Sequence, residues 1–520
     1  MQRLTFAHPQ PLYSVAATRH IEALASASLP PSCLMQQAGQ ATARLARALA
    51  PHARKAWIAC GSGNNGGDGL EAAIALQAAG LQVHVTCLTE SPQTLPEDAR
   101  HAWQRAAQAG ILLRPAIPEA IPELGAQDIC VDALLGLGLS ANARRQPPDA
   151  RLLHCLAALR DGPACLLQVD LPSGLLADSG QFAPGLEPAR SVPRQSGLHT
   201  LSLLTLKPGL FTALGRDAAG QVWFDDLGLH ALELPQPPAC AWLGAAPGLP
   251  ERRQTSHARH KGSFGDVAIV GGEGLGRRGM GMTGAALLAA SAALHAGAGR
   301  VLVSLLEGNA DASAWLARQP ECMPRHLQAL DLASGCVVAG CGGGLAIAAV
   351  LGRILEQSQR LVLDADALNA IAGDRLLARQ LTQRCQVPPV ATVLTPHPLE
   401  AARLLGSSTE AVQADRLSAA RELAERFGCT VLLKGSGSVI AAPGQTPRIN
   451  PSGNALLATA GTGDVLAGLL GARLAARPAQ PQAAFEAALQ ASWQHGALAD
   501  HWPHGQALTA WMLARALQPD

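Results

Sequence analysis

The stretch AWIACGSGNNGGDGLEAAIALQAAGLQVHVTCL, residues 56–88, holds two short apolar runs with a glycine-rich and then an alanine-rich segment between them. The apolar runs, 56–60 and 81–88, are typical of buried strands. The segment LEAAIALQAAG (70–80) has helix-forming residues and a final glycine that can cap a helix. The order strand, helix, strand predicts a parallel sheet with helices on both faces.

The same alternation of apolar runs and helical segments continues along both halves of the chain. Further strands are predicted at 128–136, 165–174, 199–207, 266–272, 300–306, 336–344, 360–368, 391–397 and 430–435, and a further helix at 283–299. Between the halves, the proline-rich segment 231–253 lacks this alternation and is predicted to be a linker.

The length of the chain supports a division into two domains. One hydrophobic core usually serves roughly 250 to 300 residues, and this chain has 520. Because the motifs at the strand ends differ between the halves, the prediction is two different domains in tandem and no internal repeat. We expect three-layer α/β/α domains at 1–230 and 254–520.

The charge and residue composition of the chain argue against several classes of partner and location. With 40 basic and 39 acidic residues, the chain has no net charge to attract nucleic acid or an anionic membrane surface, so we expect a small-molecule partner. No stretch approaches the roughly 20 apolar residues of a membrane helix, and the N-terminus lacks the apolar core of an export signal. The twelve cysteines have no CxxC spacing, which favours buried thiols in a reducing compartment. We therefore expect a cytoplasmic protein.

Polar residues follow several predicted strands of the first half, where ligands of parallel sheets collect. The segment GSGNNGGDG (61–69) follows the first strand and precedes a helix, whose N-terminal amides favour an anion. The alternative is a tight turn without a ligand, and any single Asp is more often a cap or turn residue. Together such groups could exchange protons or hold a hard cation. The other candidates are Asp132, Gly136 to Ser140, Asp170, Ser173 and Lys207.

In order and spacing, GSGNNGGDG, VDALLGLG, VDLPSG and TLKPG, preceded by LMQQAG at 34–39, resemble the N-terminal domain of NAD(P)H-hydrate epimerases. The resemblance covers most of 10–230 and implies a Rossmann-like fold that interconverts the R and S hydrates of NADH or NADPH at C6. It implies a substrate site with Asp170 as the acid–base group, and a K⁺ site at Asn65, Asp132 and Ser173. The implied substrate residues are Asn64, Asn65, Gly66, Gly67, Asp68, Gly136, Leu137, Gly138, Leu139, Ser140, Ala141, Asn142 and Asp170.

Two points of the first half stay open. The role of Lys207 is not implied by the resemblance. The family tends to have an Arg-His pair in the helix where this chain has AAIAL (72–76), a departure that affects contacts on the adenosine side of the substrate.

A second set of candidates lies in the second half. The motif GTGD (461–464) precedes a long apolar segment, so helix N-terminal amides could stabilise developing negative charge while Asp464 accepts a hydroxyl proton. Lys434 and the turn after it suit nucleotide phosphates. His397, in TPHP, is either a turn residue or a ligand contact, and Asp364 and Asp366 are either turn and cap residues or Mg²⁺ ligands.

In the same order, HKGSFG, TGAALLAA, AGCGGG, DADALN, LTPHPLE, LLKGSGSVI and GTGD resemble the ADP-dependent NAD(P)H-hydrate dehydratases, which are ribokinase-like. The resemblance covers nearly all of 255–515 and implies dehydration of the S hydrate with ADP, giving AMP and phosphate, with Mg²⁺ on the nucleotide. It implies hydrate contacts from Ala285, Gly342, His397 and Asp464, and nucleotide contacts from Lys434, Gly435, Ser436, Gly437, Ser438 and Gly463. The family usually has GPGLG where this chain has GCGGG (340–344), so the backbone restraint of a proline is missing.

Together the resemblances predict a bifunctional repair enzyme whose partners are NADH hydrate, NADPH hydrate and ADP, and which we expect to be a homo-oligomer. Two other functions remain open. The ribokinase-like scaffold mostly hosts small-molecule kinases, and the first domain could be a nucleotide-binding module without catalysis.

Overall fold

A computed structural model describes residues 1–139, 147–188, 197–232, 235, 237–246, 257–258, 260–276, 279–306, 318–387 and 389–519. The chain forms two compact units. The first comprises Met1–Thr5 and Gln10–Ala241, and the second comprises Phe6–Pro9 and Trp242–Asp520. The boundary at Ala241 lies inside the segment 231–253, where Ala241–Leu243 forms a strand.

The first unit is built on a mostly parallel sheet. The strands of the unit are β1 Gln2–Arg3, β2 Gln10–Leu12, β3 Lys55–Cys60, β4 Gln82–Cys87, β5 Leu113–Pro115, β6 Ile129–Ala133, β7 Cys165–Val169, β8 Leu198–Leu203 and β9 Gln221–Asp225, and all but β2 belong to this sheet. Its helices are α1 Val15–Ser28, α2 Cys33–Leu49, α3 Asn64–Ala78, α4 Glu97–Gln108, α5 Ala150–Asp161 and α6 Gly215–Ala219.

The strand order of this sheet is β5-β4-β3-β6-β7-β8-β9-β1, with only β1 antiparallel to its neighbour. This is the order expected of a Rossmann-like domain, and the direction of the winding reverses between β3 and β6. Separate apolar clusters bury its two faces, one centred on Ile58 and the other on Trp57. The predicted first domain is therefore an α/β/α sandwich whose ligand crevice should open beyond the ends of β3 and β6.

The second unit repeats this plan with a longer sheet. Its strands are β10 Ala241–Leu243, β11 Asp266–Gly271, β12 Arg300–Leu305, β13 Cys322–Pro324, β14 Cys336–Ala339, β15 Arg360–Leu363, β16 Ala391–Leu394, β17 Thr430–Leu433, β18 Val439–Ala441 and β19 Arg448–Ile449. Its helices are α7 Thr283–His295, α8 Ala348–Gln357, α9 Asp366–Gly373, α10 Arg375–Gln386, α11 Pro398–Leu405, α12 Thr409–Ala414, α13 Arg416–Phe427, α14 Thr462–Ala475, α15 Pro481–Asp500 and α16 Ala510–Ala516.

The sheet of the second unit runs β13-β12-β11-β14-β15-β16-β17 in parallel, followed by β18 and β19, which are antiparallel to their predecessors. Helix α14 packs closely against both this sheet and α7. A methyl group on Gly468 would lie 2.0 Å from the carbonyl oxygen of Ala289, and one on Gly471 would lie 2.4 Å from a methyl of Val338. These glycines let the N-terminus of α14, with the predicted GTGD motif, sit at the edge of the sheet.

The predicted strands are present, but they end earlier than predicted wherever a polar or glycine-rich motif follows. The run 165–174 gives β7, which ends at Val169, and the run 360–368 gives β15 and then the start of a helix at Asp366. In the described part of the chain, no helix is both long enough and apolar enough to cross a lipid bilayer.

Candidate active sites

A cavity of about 520 Å³ opens at the edge of the first unit where the strand order reverses. Most of the predicted substrate residues lie around it. Those lining it are Asn64, Asn65, Asp68, Gly136, Leu137, Gly138, Leu139 and Asp170. Ser140, Ala141 and Asn142 lie outside the described residues.

The segment NNGGDG is helical, whereas the sequence predicted a helix only from residue 70. Helix α3 begins at Asn64, so Gly66 and Gly67 belong to its first turns and are buried. A methyl group on Gly66 would lie 2.1 Å from the carbonyl oxygen of Gly61, and one on Gly69 would lie 2.6 Å from Ala133 Cβ. The glycines therefore allow the helix to pack directly on the strand ends, and this contact outweighs their low helix propensity.

The three predicted K⁺ ligands meet around Leu135. The Asp132 carboxylate accepts hydrogen bonds from the Ser173 hydroxyl, at 2.6 Å, and from the Ser173 amide, at 3.1 Å. The Leu135 amide donates to Ser173 Oγ at 2.8 Å, and Asn65 Nδ2 donates to the Leu135 carbonyl oxygen at 3.1 Å. Burial raises the pKa of Asp132, while its hydrogen bonds from Ser173 lower it.

Asp170 is held by Lys207, the residue whose role the sequence left open. Lys207 is fully buried, and its Nζ donates to Asp170 Oδ1 and, at 2.7 Å, to the Leu203 carbonyl oxygen. The Leu203 amide also donates to Asp170 Oδ1 at 3.0 Å. Asp170 itself has a positive φ of 64°, which is uncommon for a residue with a side chain. Within the described residues, no hydrogen bond is made by its second oxygen, Oδ2.

Three further carboxyl groups share the cavity with Asp170: Glu22, Asp68 and Asp98. Burial raises the pKa of Asp68 well above its usual range, and the neighbouring Asp170 and Glu22 raise it further. The Ser32 hydroxyl donates to Asp98 at 2.8 Å. The cavity thus concentrates negative charge and proton-binding capacity around its predicted acid–base group.

In the second unit, the ends of β15 and β17 bring a carboxylate and an amine together. Lys434 Nζ donates to Asp364 Oδ1 at 2.7 Å, and the Thr395 hydroxyl donates to the same oxygen at 2.7 Å. A methyl group on Gly463 would lie 3.5 Å from Lys434 Nζ. Side-chain atoms of Cys341, Asp364 and Asp464 lie within 4.8 Å of one another.

Asp464 has the titration behaviour of a base near neutral pH. Burial and the negative charge of Asp364 raise its pKa to about 7, while a hydrogen bond with Cys341 and the charge of Lys434 act in the other direction. Burial alone would lower the pKa of Lys434, but Asp364 and Glu400 outweigh burial and raise it. The site therefore combines a permanent ammonium with a carboxyl that changes its charge near pH 7.

The other two polar residues of DADALN have structural partners. Asp366 Oδ2 accepts from the amide of Gly344, at 2.8 Å, and Asn369 Oδ1 accepts from Arg403 at 2.6 Å. Asp366 is the first residue of α9 and binds the backbone of the glycine segment, whereas Asp364 belongs to the cluster around Lys434.

Gly342 and Ala285, both predicted to contact the hydrate, are neighbours. A methyl group on Gly342 would lie 2.9 Å from Ala285 Cβ. The two residues after the glycine segment are held by the fully buried Glu273, whose Oε1 accepts from the amides of Leu345, at 3.0 Å, and Ala346, at 3.3 Å.

His397 is the N-cap of helix α11. Its Nδ1 accepts from the amides of Leu399, at 3.2 Å, and Glu400, at 3.4 Å, while the Glu400 side chain accepts from the His397 amide. Nε2 lies 3.1 Å from Glu400 Oε1. The histidine therefore has a structural role, and its half-exposed ring has a fixed direction.

A buried arginine supports the turn that follows Lys434. Arg416 donates to the carbonyl oxygens of Lys434, at 3.2 Å, and Leu433, at 3.4 Å, and burial lowers its pKa to about 10. Gly435 has a φ of 140° and lies directly over the guanidinium group. Ser438 closes the turn by donating to the Gly435 carbonyl oxygen at 3.1 Å.

Comparisons with known proteins cover both units. Residues 268–519 match the NAD(P)H-hydrate dehydratase family, and residues 32–209 match the family described as YjeF-related protein N-terminus. The bifunctional NAD(P)H-hydrate repair enzyme Nnr of Escherichia coli (strain K12) is 36% identical over 482 residues, which cover 90% of this chain and 84% of that protein. The chain belongs to the bifunctional NAD(P)H-hydrate repair enzymes.

Two further proteins are each similar to about half of the chain. An ADP-dependent (S)-NAD(P)H-hydrate dehydratase of Neisseria meningitidis is 41% identical over 266 residues, covering 50% of this chain and 84% of that protein. A crystal structure of an ADP/ATP-dependent NAD(P)H-hydrate dehydratase from Bacillus subtilis is 26% identical, covers 50% of this chain and 89% of that chain, and has a TM-score of 0.41.

For this repair enzyme, several predictions from the sequence are confirmed. They are the family, two tandem α/β folds with a Rossmann-like strand order in the first, an enzyme that repairs hydrated NAD(P)H, and ADP as its co-substrate.

The residues of the repair enzyme's sites that escaped the sequence analysis include Glu22, Asp98, Glu273 and Arg416. Glu273 directly follows the predicted strand 266–272, so the strand-end rule could have found it. Glu22, Asp98 and Arg416 lie on the helices α1, α4 and α13, and no local pattern marks them.

Proposed function

We propose that the first unit interconverts the R and S hydrates of NADH and NADPH at C6, and that the second unit dehydrates the S form with ADP. The main support is Asp464, a carboxyl with a pKa of about 7 in the first turn of α14. It follows Gly463, on which a methyl group would lie 3.5 Å from Lys434 Nζ. Such a group can accept a proton at neutral pH, where a helix terminus can stabilise a transferring phosphoryl group.

In the proposed dehydration, Asp464 takes the proton of the C6 hydroxyl. The hydroxyl oxygen attacks the terminal phosphorus of ADP, the bond to the departing AMP breaks, and the hydrate carries a phosphate at C6. The C6–O bond then breaks, phosphate leaves, and a proton is lost from C5, which restores the reduced nicotinamide. The amides of Gly461 to Gly463 and the charge of Lys434 stabilise the phosphoryl group.

In the proposed epimerisation, Asp170 exchanges a proton with the oxygen at C6. Its Oδ1 is occupied by Lys207 and the Leu203 amide, which leaves Oδ2 for the substrate. Lys207 is then a positioning residue, because it acts on the substrate only through Asp170.

The proposed residue contacts follow from the same resemblance. For the hydrate in the second unit they are Ala285, Gly342 and His397, and for ADP they are Lys434 to Ser438 and Gly463. The proximity of Gly342 to Ala285 and of Gly463 to Lys434 supports both groups.

The residues around Leu135 fit a K⁺ site. Asp132 is a buried carboxylate without an ion-pair partner among the described residues, and Ser173, Asn65 and the Leu135 carbonyl supply further oxygen atoms. A buried charge of this kind is stabilised by a cation with oxygen ligands. K⁺ bound there would supply fixed positive charge beside the second glycine-rich loop.

The cluster of Cys341, Asp364 and Asp464 does not fit a Mg²⁺ site. One member is a thiol, and Lys434 already occupies an oxygen of Asp364, whereas Mg²⁺ prefers oxygen ligands in octahedral geometry. We propose that Mg²⁺ reaches the second unit bound to the phosphates of ADP.

We also propose a cytoplasmic homo-oligomer. The twelve cysteines are free thiols, which suits a reducing compartment. The homo-oligomeric state is a prediction, and sedimentation velocity would test it by measuring the mass of the particle in solution.

The proposed function predicts complete repair of a mixture of R and S hydrates. With ADP and K⁺, reduced-nicotinamide absorbance should return in full, and AMP and phosphate should each equal the NAD(P)H recovered. Recovery that stops at the S fraction would show a first unit without epimerase activity. Accumulation of a phosphorylated hydrate without NAD(P)H would instead identify the second unit as a kinase.

The titration of Asp464 predicts the pH dependence of dehydration. Because the base must be ionised, kcat/KM for the S hydrate should fall about tenfold per pH unit below pH 7, the pKa of Asp464. Asp364→Asn removes the negative charge that raises this pKa, so the midpoint should move to lower pH. An unchanged midpoint in the variant would contradict the assignment, and the thermal unfolding transition of the variant, compared with that of wild type, reports on its folding.

A further inference from the structure

Helix α1 forms one wall of the first unit's cavity. Thr18, Arg19, Glu22 and Ser26 all line the cavity, a spacing of three and four residues that places them on one face of the helix. The N-terminus of the helix is capped by Ser14, which accepts from the amide of Ala17 at 3.2 Å.

Two contacts fix this wall against the predicted active site. The Thr18 and Thr205 hydroxyls form a buried hydrogen bond of 2.8 Å. Thr205 lies two residues before Lys207 in the chain. Arg19 donates to the carbonyl oxygen of Leu137, in the second glycine-rich loop, at 3.1 Å. Glu22 lies one turn beyond these anchors, so its position relative to Asp170 is set by the fold.

The Glu22 carboxyl group has no hydrogen-bond or ion-pair partner among the described residues. By contrast, the other carboxyl that escaped the sequence analysis here, Asp98, accepts from Ser32. Burial raises the pKa of Glu22, and the charges of Asp170 and Asp98 add to this, while Lys207 and Arg19 act in the opposite direction. A partly buried carboxyl with a raised pKa and no partner is suited to exchange protons with a ligand.

We propose that Glu22 is a second catalytic acid–base residue of the epimerase site and acts on C6 from the α1 wall while Asp170 acts from the sheet edge. This inference rests on the proposed epimerase function. It gives a role to the carboxyl group of the α1 wall, so that groups on two different elements can serve the two faces of C6.

The step balances with two carboxyl groups and water. Glu22 gives its proton to the C6 hydroxyl, the C6–O bond breaks, water leaves, and the lone pair of the ring nitrogen forms a double bond with C6. Water then adds to the opposite face of C6, and Asp170 takes its proton. One water is lost and one gained, and one proton is given and one taken. Exchange with solvent water then removes the proton from Asp170 and returns one to Glu22 before the next turnover, and the two residues exchange roles in the reverse direction.

The test is Glu22→Gln in the full-length enzyme, assayed in both directions with separated R and S hydrates. Glutamine keeps the shape of the side chain but cannot transfer the proton, so kcat should fall by about 10² or more in both directions, with KM changed less than about threefold. Glu22→Asp should recover part of kcat. Asp98→Asn, whose carboxyl already has a partner, should lose far less.

The outcomes separate this inference from the function on which it rests. If wild-type enzyme does not interconvert the hydrates, the epimerase function itself is wrong. If wild-type enzyme is active and Glu22→Gln keeps its kcat, or raises only KM, the catalytic role of Glu22 is wrong. An equal loss of kcat in Asp98→Asn would also overturn it, because the effect would then follow from cavity charge. The dehydratase rate of each variant reports on the intactness of the chain.

Discussion

Asp464→Asn should reduce dehydratase turnover by about 10² to 10⁴, the usual contribution of a general base, while R-to-S epimerisation continues at the wild-type rate. Asparagine has nearly the same size, so the first turn of α14 and its contacts to the sheet should persist. The measurement is the rate of NAD(P)H formation from purified S hydrate with saturating ADP, followed by epimerisation of the R hydrate in the same sample.

The Asp464 variant also has an expected stability. Burial and Asp364 raise the pKa of this carboxyl to about 7, above its value in an unfolded chain, so ionisation in the folded state costs stability as the pH rises towards and past 7. Asn carries no such charge, and Asp464→Asn should therefore be at least as thermostable as wild type at pH 8. Asp374→Asn is a matched control, because Asp374 caps helix α10 through the Leu376 amide at 2.7 Å, and asparagine caps equally well. Normal dehydration by Asp464→Asn would exclude this residue as the base.

Lys207→Met should abolish epimerisation and destabilise the first unit. The substitution leaves Asp170 without the ammonium that faces it in a fully buried position. Breaking a buried ion pair on one side costs on the order of 3–5 kcal/mol. The expected result is an epimerase rate at background and a lower urea midpoint for the unfolding transition that includes β7 and β8. Hydrogen exchange of the β7 and β8 amides measures this transition.

The double variant Lys207→Met with Asp170→Asn separates positioning from stability. It removes both charges, so it should be much less destabilised than the sum of the single variants, with a clear coupling energy between the two sites. It should nevertheless remain inactive as an epimerase, because the proton-transfer group is gone. If Lys207→Met folds normally and keeps the wild-type kcat, the ion pair does not position Asp170.

The sequence predicted the places of the sites better than their internal contacts. Asp132, Asp170 and Lys434 do lie directly at or after the ends of parallel strands. This could be read from the chain because an apolar run that stops at a polar residue marks both the strand and its end. Parallel topology then brings successive strand ends to one edge of the sheet.

The pairing within each site could not be read in the same way. Nothing local to Lys207 or Asp170 indicates that they meet, because their contact depends on the register of β7 and β8 and on the positive φ of Asp170. Glu22 is still less visible, since a glutamate on an amphipathic helix ordinarily faces solvent. Its place in the cavity follows from tertiary contacts made by Thr18 and Arg19.

The start of helix α3 also depends on tertiary contacts that the local sequence does not show. Asparagine and glycine are poor helix formers, so residue-by-residue propensity places the start of the helix too late. The preference is reversed by the contacts of Gly66 and Gly69 with the strand ends, which only small residues allow.

These glycines also bear on how mutational data for the segment would be understood. In a saturation mutagenesis experiment, every substitution of Gly66 should abolish activity. The same result would be expected of a residue that contacts the ligand. At Gly66 the loss would come from the close packing of helix α3 on the strand ends, because the space that a methyl group would need is already filled by the chain. At Gly63 that space is open, so sensitivity to substitution there would carry information about the ligand.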